Sequence, residues 1–409
     1  MDRVILHCDC NSFFASVETV LNPEYRDVPM AVCGSQEDRH GIVLAKNELA
    51  KAYGIQTAET VYSAKKKCPG LVIVRPHHKE YAQFSRRINR IYGEYTDLVE
   101  PFGIDESWLD VTASKKLFGN GMEIAETIRQ RIKAEIGLTV SIGVSFNKVF
   151  AKLGSDYKKP DAITEISRAN FKNIVYPLPV SHLLFVGRKT TVELEKMGIK
   201  TIGDLALADL DFLVGRFGKH GVTLYEYSRG LDETPVASNE VQTEAKSISN
   251  GFTFKHDLVS RDECKVGISY LCEELGYKLR ANSLKCTTVV LTVKDTHLKS
   301  VQRQKQLSSP TNVGDEIAAA LFAILCETWQ ENKPIRMITA AVTGLVSADA
   351  SEQMDIFSST EDEKHEKSLN KEKAIDRLRQ KYGSGAIVRA SFVDNSIGNL
   401  TSDDEENGK

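Results

Sequence analysis

The chain has 409 residues, a formal net charge of −3 at pH 7 and a hydrophobic content of 41%. This length predicts more than one domain, and no apolar run approaches the ~20 residues of a membrane-spanning helix. The eight cysteines show no zinc-binding spacing, and the N-terminus carries no charged-then-apolar signal segment. We therefore expect a cytoplasmic, multidomain protein with reduced thiols and no membrane contact.

Charge is unevenly distributed along the chain. From residue 349 onward 14 acidic residues oppose 9 basic ones, which leaves residues 1–348 with a net charge of +2. Contacts with a polyanion would come from local basic clusters, because a body so weakly charged creates no strong overall field. The acidic residues 403–406 are typical of a disordered tail.

Hydrophobic periodicity predicts alternating strands and helices in the first 145 residues. In chain order the predicted strands are residues 3–9, 42–45, 98–102, 107–111 and 139–144, and the predicted helices are residues 12–21, 47–53, 78–95 and 122–136. Ser12 is the expected N-cap of the first helix. If residues 11–77 are an insertion, the order is β-α-β-β-α-β, which is the ferredoxin-like arrangement.

The second half of the chain changes character along its length. Residues 164–232 predict short helices broken by glycines. Within them, residues 184–199 resemble a helix-hairpin-helix, whose glycine turn exposes backbone N–H groups to a phosphate; an ordinary helical hairpin is the alternative. Residues 233–245 lack periodicity, as a linker does. Residues 246–347 again predict strand, helix, strand, strand, helix and strand, and residues 371–383 predict a short amphipathic helix.

Three acidic residues fall at the ends of predicted strands. Asp105 and Glu106 lie in the apolar sequence Phe-Gly-Ile-Asp-Glu-Ser, and Asp9 ends the first strand. Adjacent buried carboxylates are costly unless a cation neutralises them, and magnesium prefers such oxygen-rich pockets. Two magnesium ions a few ångströms apart are the apparatus of in-line phosphoryl or nucleotidyl transfer. The alternative is that Asp105 begins a turn and that Glu106 is a solvated edge residue.

Three blocks of sequence together resemble the Y-family of translesion DNA polymerases. They are Asp-Cys-Asn-Ser-Phe-Phe-Ala-Ser-Val-Glu at residues 9–18, the acidic block at residues 102–107, and Ser-Ile-Gly-Val-Ser-Phe-Asn-Lys at residues 141–148. The resemblance covers roughly residues 1–347 and is greatest to the bacterial polymerase IV group. Asn11 departs from that group, which often has a second aspartate there, and is shared with the catalytic subunit of polymerase V.

The resemblance implies a multidomain α+β polymerase of the right-hand type. Its expected parts are a ferredoxin-like palm at residues 1–10 and 78–163, small fingers at 11–77, a helix-hairpin-helix thumb at 164–232, a linker at 233–245, an α/β little finger at 246–347 and a C-terminal tail at 348–409. The implied activity is template-directed, error-prone DNA synthesis past lesions, without proofreading. A palm-type nucleotidyl cyclase and a catalytically inactive DNA-binding relative are the alternatives.

The resemblance also assigns the active site. Asp9, Asp105 and Glu106 would be the catalytic metal ligands of two Mg²⁺ ions, with the main-chain carbonyl of Cys10 completing one shell. Phe14 falls at the steric-gate position, where a ring leaves no room for a ribose 2′-hydroxyl. The other candidates for the nucleotide site are Phe13, which we also expect in the core, Lys51 and Lys159. Glu48 stands where the family often has tyrosine, and it cannot replace a hydroxyl donor.

Seven basic residues and one glycine are candidates for DNA contact. They are Lys148, Lys152, Gly187, Arg188, Lys189, Lys246, Arg303 and Lys305. Lys148 and Lys152 follow a predicted turn and are one helical turn apart. Residues 187–189 form the turn of the predicted hairpin. Arg303 and Lys305 are two residues apart and share one face of a predicted strand. A solvated charged surface is the alternative for each of them.

A short peptide after the little finger is similar to the bacterial sliding-clamp-binding peptide. It consists of Gln353, Met354, Asp355, Ile356 and Phe357. Apolar side chains in an otherwise polar segment suggest a partner's groove. The expected partners are therefore primed template DNA, deoxynucleoside triphosphates and the replication clamp, with the polymerase itself a monomer.

Overall fold

The structure is a computed structural model that describes residues 2–35, 41–238, 245–330, 333–349, 359–393 and 397. Its contacts divide the chain into two compact units. The first comprises Met1–Gly34 and Ile42–Gln242, and the second comprises Ser35–Gly41 and Thr243–Lys409. None of the helices in the described part of the chain is long and apolar enough to cross a membrane.

The first unit contains two sheets and a set of helices. In chain order its elements are β1 (Ile5–Cys10), α1 (Phe13–Leu21), β2 (Met30–Cys33), β3 (Val43–Lys46), α2 (Glu48–Ala52), α3 (Val61–Lys67), β4 (Val72–Val74), α4 (His78–Gly93), β5 (Val99–Pro101), β6 (Glu106–Asp110), α5 (Lys115–Phe118), α6 (Gly121–Arg131, followed by a π-helical turn at Ile132–Ile136), β7 (Val140–Ser145), α7 (Lys148–Tyr157), β8 (Ile163–Ile166), α8 (Phe171–Val175), α9 (Arg188–Lys196), α10 (Ile202–Leu207), α11 (Leu210–Phe217) and α12 (Lys219–Arg229).

The larger sheet confirms the predicted β-α-β-β-α-β order. Its strands lie in the order β5-β6-β1-β7-β8; the first four are antiparallel to their neighbours, and β8 runs parallel to β7. Side chains of α1, α4 and α6 pack on it in a core that includes Val17, Tyr81 and Ile124. The fifth strand was not predicted, and it crosses the boundary expected at residue 164, so the sheet continues to Ile166.

Helix α7 lies unusually close to this sheet. A side chain at Gly143 in β7 would place its Cβ 1.8 Å from the carbonyl oxygen of Ala151, so only glycine permits the approach. The α7 N-cap is Asn147, whose side chain accepts a hydrogen bond from the backbone N–H of Phe150. This packing directs several α7 side chains toward the ends of the central strands.

The inserted segment forms a small sheet of its own, with strand order β3-β2-β4. The prediction of β3 and of the helix after it is confirmed within two residues at each end, whereas β2 and β4 were missed because strands of four and three residues give little periodic signal. Ser12 does occupy the N-cap position of α1, but its φ is 48° and its side chain makes no capping hydrogen bond. The prediction that Ser12 caps by its hydroxyl is therefore wrong.

Residues 171–229 form short helices around a separate core that includes Phe150, Leu194 and Leu224, as the glycine-broken pattern predicted. Gly187 is the N-cap of α9. Two residues before it, Phe185 adopts a left-handed φ of 66° and is 57% exposed, which is uncommon for a bulky side chain.

Part of the predicted linker lies on the palm. The guanidinium of Arg3 donates hydrogen bonds to the carbonyl oxygens of Glu233 (3.2 Å) and Thr234 (3.0 Å). Val236 is buried in a cluster with Ile5 and Trp108. Residues 233–238 therefore have no regular secondary structure, as expected, but they are packed along the first unit.

The second unit repeats the β-α-β-β-α-β order that the sequence predicted for residues 246–347. Its elements are β9 (Ser247–Leu258), α13 (Arg261–Ala281), β10 (Leu284–Asp295), β11 (Ser300–Thr311), α14 (Gly314–Thr328), β12 (Ile335–Ser347) and α15 (Ser359–Tyr382). The sheet is antiparallel throughout, with strand order β11-β10-β12-β9, and α13 and α14 pack on one core with it.

The C-terminal region corrects the expectation of a simple tail. A short helix was predicted at residues 371–383, whereas α15 begins at Ser359 and is held by ion pairs. The guanidinium of Arg280, only 8% exposed, donates to the Asp376 carboxylate at 2.7 Å and pairs with Glu372. Phe392 is buried in the same core as α13 and α14. These contacts fold the C-terminal region onto the second unit.

Candidate active site

The sheet register brings the predicted acids together. Asp9 in β1 lies directly opposite Glu106 in β6. Asp105 ends the short connection between β5 and β6, and its carbonyl oxygen accepts a hydrogen bond from the Cys10 backbone N–H at 3.0 Å. The three carboxylates thus belong to adjacent chain segments at one end of the two central strands, as the sequence predicted.

Two lysines of the α7 region face these carboxylates. The Lys159 ammonium lies 2.7 Å from Asp9 Oδ2 and 2.7 Å from Asp156 Oδ1, and the Lys152 ammonium pairs with Glu106. Lys152 was predicted to contact DNA; instead the structure places it against a carboxylate of the active site. The close approach of α7 to the sheet explains this position.

His7 is a member of the site that the sequence prediction missed. Its Nε2 lies 3.2 Å from Glu106 Oε2 and its Nδ1 lies 2.8 Å from Ser155 Oγ. Burial lowers the pKa of His7, which favours the neutral ring. Among the described residues, His7, Asp9 and Glu106 form the one group of three possible metal ligands, with their ligand atoms within 4.8 Å of one another. Its spacing in the sequence could have identified His7, because residues two apart in a strand, such as His7 and Asp9, lie on the same face.

The carboxylates differ in how well the protein neutralises them. Burial would raise the pKa of Glu106, but hydrogen bonds from His7 and Lys152 lower it to about 2. Burial, together with the negative charges of Asp9 and Glu106, raises the pKa of Asp105 to about 6. Asp105 therefore carries negative charge that the surrounding side chains do not balance. A bound divalent cation would balance it, so this donor set fits a metal site.

The two neighbouring phenylalanines have different environments. Phe13 is 3% exposed and packs in the core beneath the larger sheet, as expected, so any contact with a nucleotide would come from its main chain and not from its ring. Phe14 is half-buried and stacks on Tyr81, with the ring centroids 4.2 Å apart and the planes at 14°. The left-handed conformation of Ser12 precedes both residues.

The predicted phosphate contacts of the fingers are exposed. Lys51 pairs with Glu48 at 3.5 Å, so part of its charge is already balanced. The sequence prediction missed Lys46, whose ammonium donates to Thr57 Oγ1 at 3.0 Å. Burial and the positive charge of Lys51 lower the pKa of Lys46. Lys46 is thus a second ammonium group near Lys51, and the carboxylates of Glu48 and Glu59 act on it in the opposite sense.

Asn11 has a structural role at the site's edge. Its amide nitrogen donates to Ser141 Oγ at 2.9 Å, and its Oδ1 accepts from the backbone N–H of Asp161 at 2.9 Å. Both functional groups of the Asn11 amide are therefore satisfied. Asparagine in place of the aspartate often found at position 11 does not change the set of carboxylates formed by Asp9, Asp105 and Glu106.

Lys148 was predicted to contact DNA, and the structure gives it a different partner. Its ammonium lies 2.6 and 2.7 Å from the two carboxylate oxygens of Glu100 and 4.5 Å from the ring centre of Trp108. The side chain is buried. Lys148 therefore takes part in the packing between α7 and the sheet, and its contact with DNA stays a prediction.

The remaining DNA candidates lie on the surface. Arg188 and Lys189 are exposed at the start of α9, and Lys246, Arg303 and Lys305 are exposed in the second unit. Arg303 and Lys305 share one face of the edge strand β11. Their exposure permits contact with DNA, and their role stays a prediction. The peptide predicted to bind the clamp, residues 353–357, lies outside the described residues.

A ferredoxin-like sheet with carboxylates at the ends of its central strands is the arrangement of polymerase palms. The sequence model of the impB/mucB/samB family matches residues 8–156, that of its C-terminal domain matches residues 245–356, and that of the DNA polymerase-iota thumb domain matches residues 183–232. The chain is 48% identical to DNA polymerase IV of Acetivibrio thermocellus over 96% of its own length and 98% of that protein. It is 34% identical to DNA polymerase IV of Clostridium kluyveri, over 97% and 100% of the two chains.

The chain therefore belongs to the impB/mucB/samB family, the Y-family of DNA polymerases. A Y-family polymerase chimera, Dbh-Dpo4(243-245)-Dbh, has the same fold, with a TM-score of 0.75, 22% identity and coverage of 84% of this chain and 99% of that one. The expected α+β polymerase fold, the likeness to polymerase IV and the DNA-directed DNA polymerase activity of the translesion class are confirmed. The cyclase and the inactive relative are not favoured.

Proposed function

We propose that this polymerase extends primed template DNA by two-metal nucleotidyl transfer at Asp9, Asp105 and Glu106. The observation that carries the proposal is the register that sets Asp9 opposite Glu106, with Asp105 beside them at a raised pKa of about 6. Family membership implies dependence on a metal; we propose that the metal is Mg²⁺ and that two ions bind. When bound, they would activate the primer 3′-hydroxyl and neutralise the triphosphate charge.

The chain's own side chains prepare the site for this charge. Lys152 and Lys159 pair with Glu106 and Asp9. We propose that Lys159 contacts the triphosphate, as a point charge without the paired geometry of arginine. Lys46 and Lys51 would add positive charge from the fingers. Phe14 would exclude the 2′-hydroxyl of a ribonucleotide.

The proposed domains follow the sequence prediction with one adjustment. The palm comprises residues 1–10 and 78–166, the fingers 11–77, the thumb 167–232, and the little finger 246–347, to which the C-terminal helix adds. The thumb turn at Gly187 and the exposed basic strand β11 would contact DNA phosphates, which fix position without reading sequence.

The remaining partners and properties are also proposals. We propose a monomer that acts in the cytoplasm, in keeping with its eight free cysteines. We expect no 3′-to-5′ excision, because the palm supplies the one group of three possible metal ligands in the described part of the chain.

Primer extension on undamaged and damaged templates tests the function. Incorporation should require a primer, a template and Mg²⁺, and it should continue past at least one lesion that stops a replicative polymerase. Formation of a cyclic nucleotide from a triphosphate without DNA would instead indicate a cyclase. DNA binding without incorporation would indicate an inactive relative.

We propose that Gln353–Phe357 binds the replication clamp, with the apolar side chains in a groove. Replacing Ile356 and Phe357 with alanine should spare synthesis on short primers, because the active site is untouched. It should remove most of the clamp's stimulation on long primed circles, because tethering raises the local enzyme concentration by about 100-fold or more. Replacing Ser358 with alanine is the matched control. Full stimulation of the double variant would place the clamp contact elsewhere.

A further inference from the structure

A buried carboxylate lies behind Phe14 and takes no part in the proposed reaction. The side chain of Glu18, on α1, is only 3% exposed. Its Oε1 accepts a hydrogen bond from the Tyr81 hydroxyl and lies 2.8 Å from His77 Nδ1. Both partners come from the start of α4. A carboxylate so deeply buried is retained at low cost only when such donors satisfy it.

Glu18 and Phe14 hold the same tyrosine at two points. They are four residues apart on α1 and therefore share one helix face. The ring of Tyr81 stacks on Phe14 at 4.2 Å, while its hydroxyl reaches Glu18 one turn further along. His78 meets Phe14 edge-on at 5.8 Å. Burial and the hydrogen bond to Glu18 raise the pKa of Tyr81, so the hydroxyl stays protonated and remains a donor.

We propose that Glu18 is a positioning residue for sugar selection: it fixes Tyr81, and the stacked Tyr81 ring fixes the plane of Phe14. The inference rests on the proposed role of Phe14 as the steric gate. A gate excludes one oxygen atom only if its ring cannot tilt, because the repulsion between overlapping atoms falls steeply as they separate. The stack alone permits Tyr81 to slide, whereas the hydrogen bond fixes its position along α1.

The ratio of kcat/KM for a deoxyribonucleotide to that for its ribonucleotide tests the inference. Glu18→Ala and Tyr81→Phe should each lower this ratio about 10-fold or more, because each removes the hydrogen bond between the tyrosine and the charged carboxylate. Glu18→Gln should nearly retain the ratio, because its carbonyl oxygen still accepts from the tyrosine. Tyr95→Phe is the matched control: Tyr95 is buried in the same core, and its hydroxyl accepts from Arg131 at 3.3 Å. The kcat/KM ratio of Tyr95→Phe should equal that of the wild-type enzyme.

A purely structural role for Glu18 predicts a different result. Loss of stability reduces the amount of active enzyme for both substrates equally, so the ratio would stay at its wild-type value although the melting temperature falls. Unchanged ratios in both Glu18→Ala and Tyr81→Phe would overturn the inference. If Glu18→Ala does not fold, Tyr81→Phe decides alone, because it removes one hydroxyl and keeps the stacked ring.

Phe14→Ala in the same assay separates this inference from the gate assignment. If Phe14→Ala leaves the ratio unchanged, the gate itself is misassigned. If Phe14→Ala relaxes selection and the other two variants do not, the gate stands and the positioning role is wrong. The double variant Glu18→Ala/Phe14→Ala should select no less strictly than Phe14→Ala alone, since Glu18 acts only through that ring.

Discussion

Asp105→Asn should abolish primer extension while it stabilises the metal-free protein. A metal centre contributes several kcal/mol of transition-state charge stabilisation, so we expect extension to fall by about 1,000-fold or more. Primed DNA should still bind within a fewfold of the wild-type affinity, because the proposed phosphate contacts lie in the thumb and the little finger. Single-turnover extension and a DNA-binding titration measure the two effects separately.

The gain in stability follows from the raised pKa of Asp105. Its ordinary value is 3.8, and in the folded protein it is about 6, so the folded state binds the proton more tightly than the unfolded state. Proton binding to Asp105 stabilises the folded state at low pH, and this stabilisation is lost as the pH rises through about 6. Asparagine lacks the charge. At pH 8 the free energy of unfolding of Asp105→Asn should therefore be about 1–2 kcal/mol higher than that of the wild-type protein. The difference should shrink toward pH 4.

Magnesium should act on the same charge. It should raise the melting temperature of the wild-type protein at pH 8 and have much less effect on Asp105→Asn. Asp110→Asn is the matched control, because Asp110 lies at the opposite end of β6 from Glu106 and accepts a hydrogen bond from the Thr112 backbone N–H. That control should extend primers nearly normally. Near-normal extension by Asp105→Asn itself would remove the two-metal assignment.

The sequence was sufficient to predict the two β-α-β-β-α-β units and the acidic site. Long amphipathic segments such as residues 78–95 carry a clear helical period, and the structure places α4 at His78–Gly93. Asp9 and Glu106 could be paired because each falls at the end of a predicted strand, and the ferredoxin-like order makes those strands neighbours. The strong local patterns and the ferredoxin-like strand order therefore predicted the same arrangement.

Side-chain partners were much harder to predict. Helical spacing correctly placed Lys148 and Lys152 one turn apart, but it could not show that this face meets the sheet. In the structure each lysine has a carboxylate partner, Glu100 and Glu106 respectively. The reason is the contact of α7 with Gly143, a tertiary feature that a periodicity in the helix does not contain.

The folded C-terminal helix was underestimated for a related reason. Its contact with the rest of the second unit depends on ion pairs, including Arg280 with Asp376 and Arg379 with Glu273. Charged residues in a polar segment predict solvent exposure unless their partners are known. The guanidinium of Arg280 is instead buried and holds the helix in place through Glu372 and Asp376.

Phe14→Ala should raise ribonucleotide incorporation by about 100-fold or more, because a steric clash of a few kcal/mol between the ring and the 2′-hydroxyl disappears. Incorporation of deoxyribonucleotides should change much less. The ring is half-buried against Tyr81, so the fold should persist with a moderate loss of stability. Competing deoxyribo- and ribonucleotides on one primed template would give the preference directly.

Phe13→Ala provides the contrast within the same helix turn. Phe13 is buried in the palm core, so its truncation should cost about 3–5 kcal/mol of stability and leave the sugar preference of the remaining active enzyme unchanged. The two neighbours thus have opposite expected signatures, one in substrate choice and one in melting temperature. If Phe14→Ala lowers the melting temperature as much as Phe13→Ala and leaves the sugar preference unchanged, Phe14 is a core residue. The side chain that excludes ribonucleotides would then have to lie elsewhere around the nucleotide site.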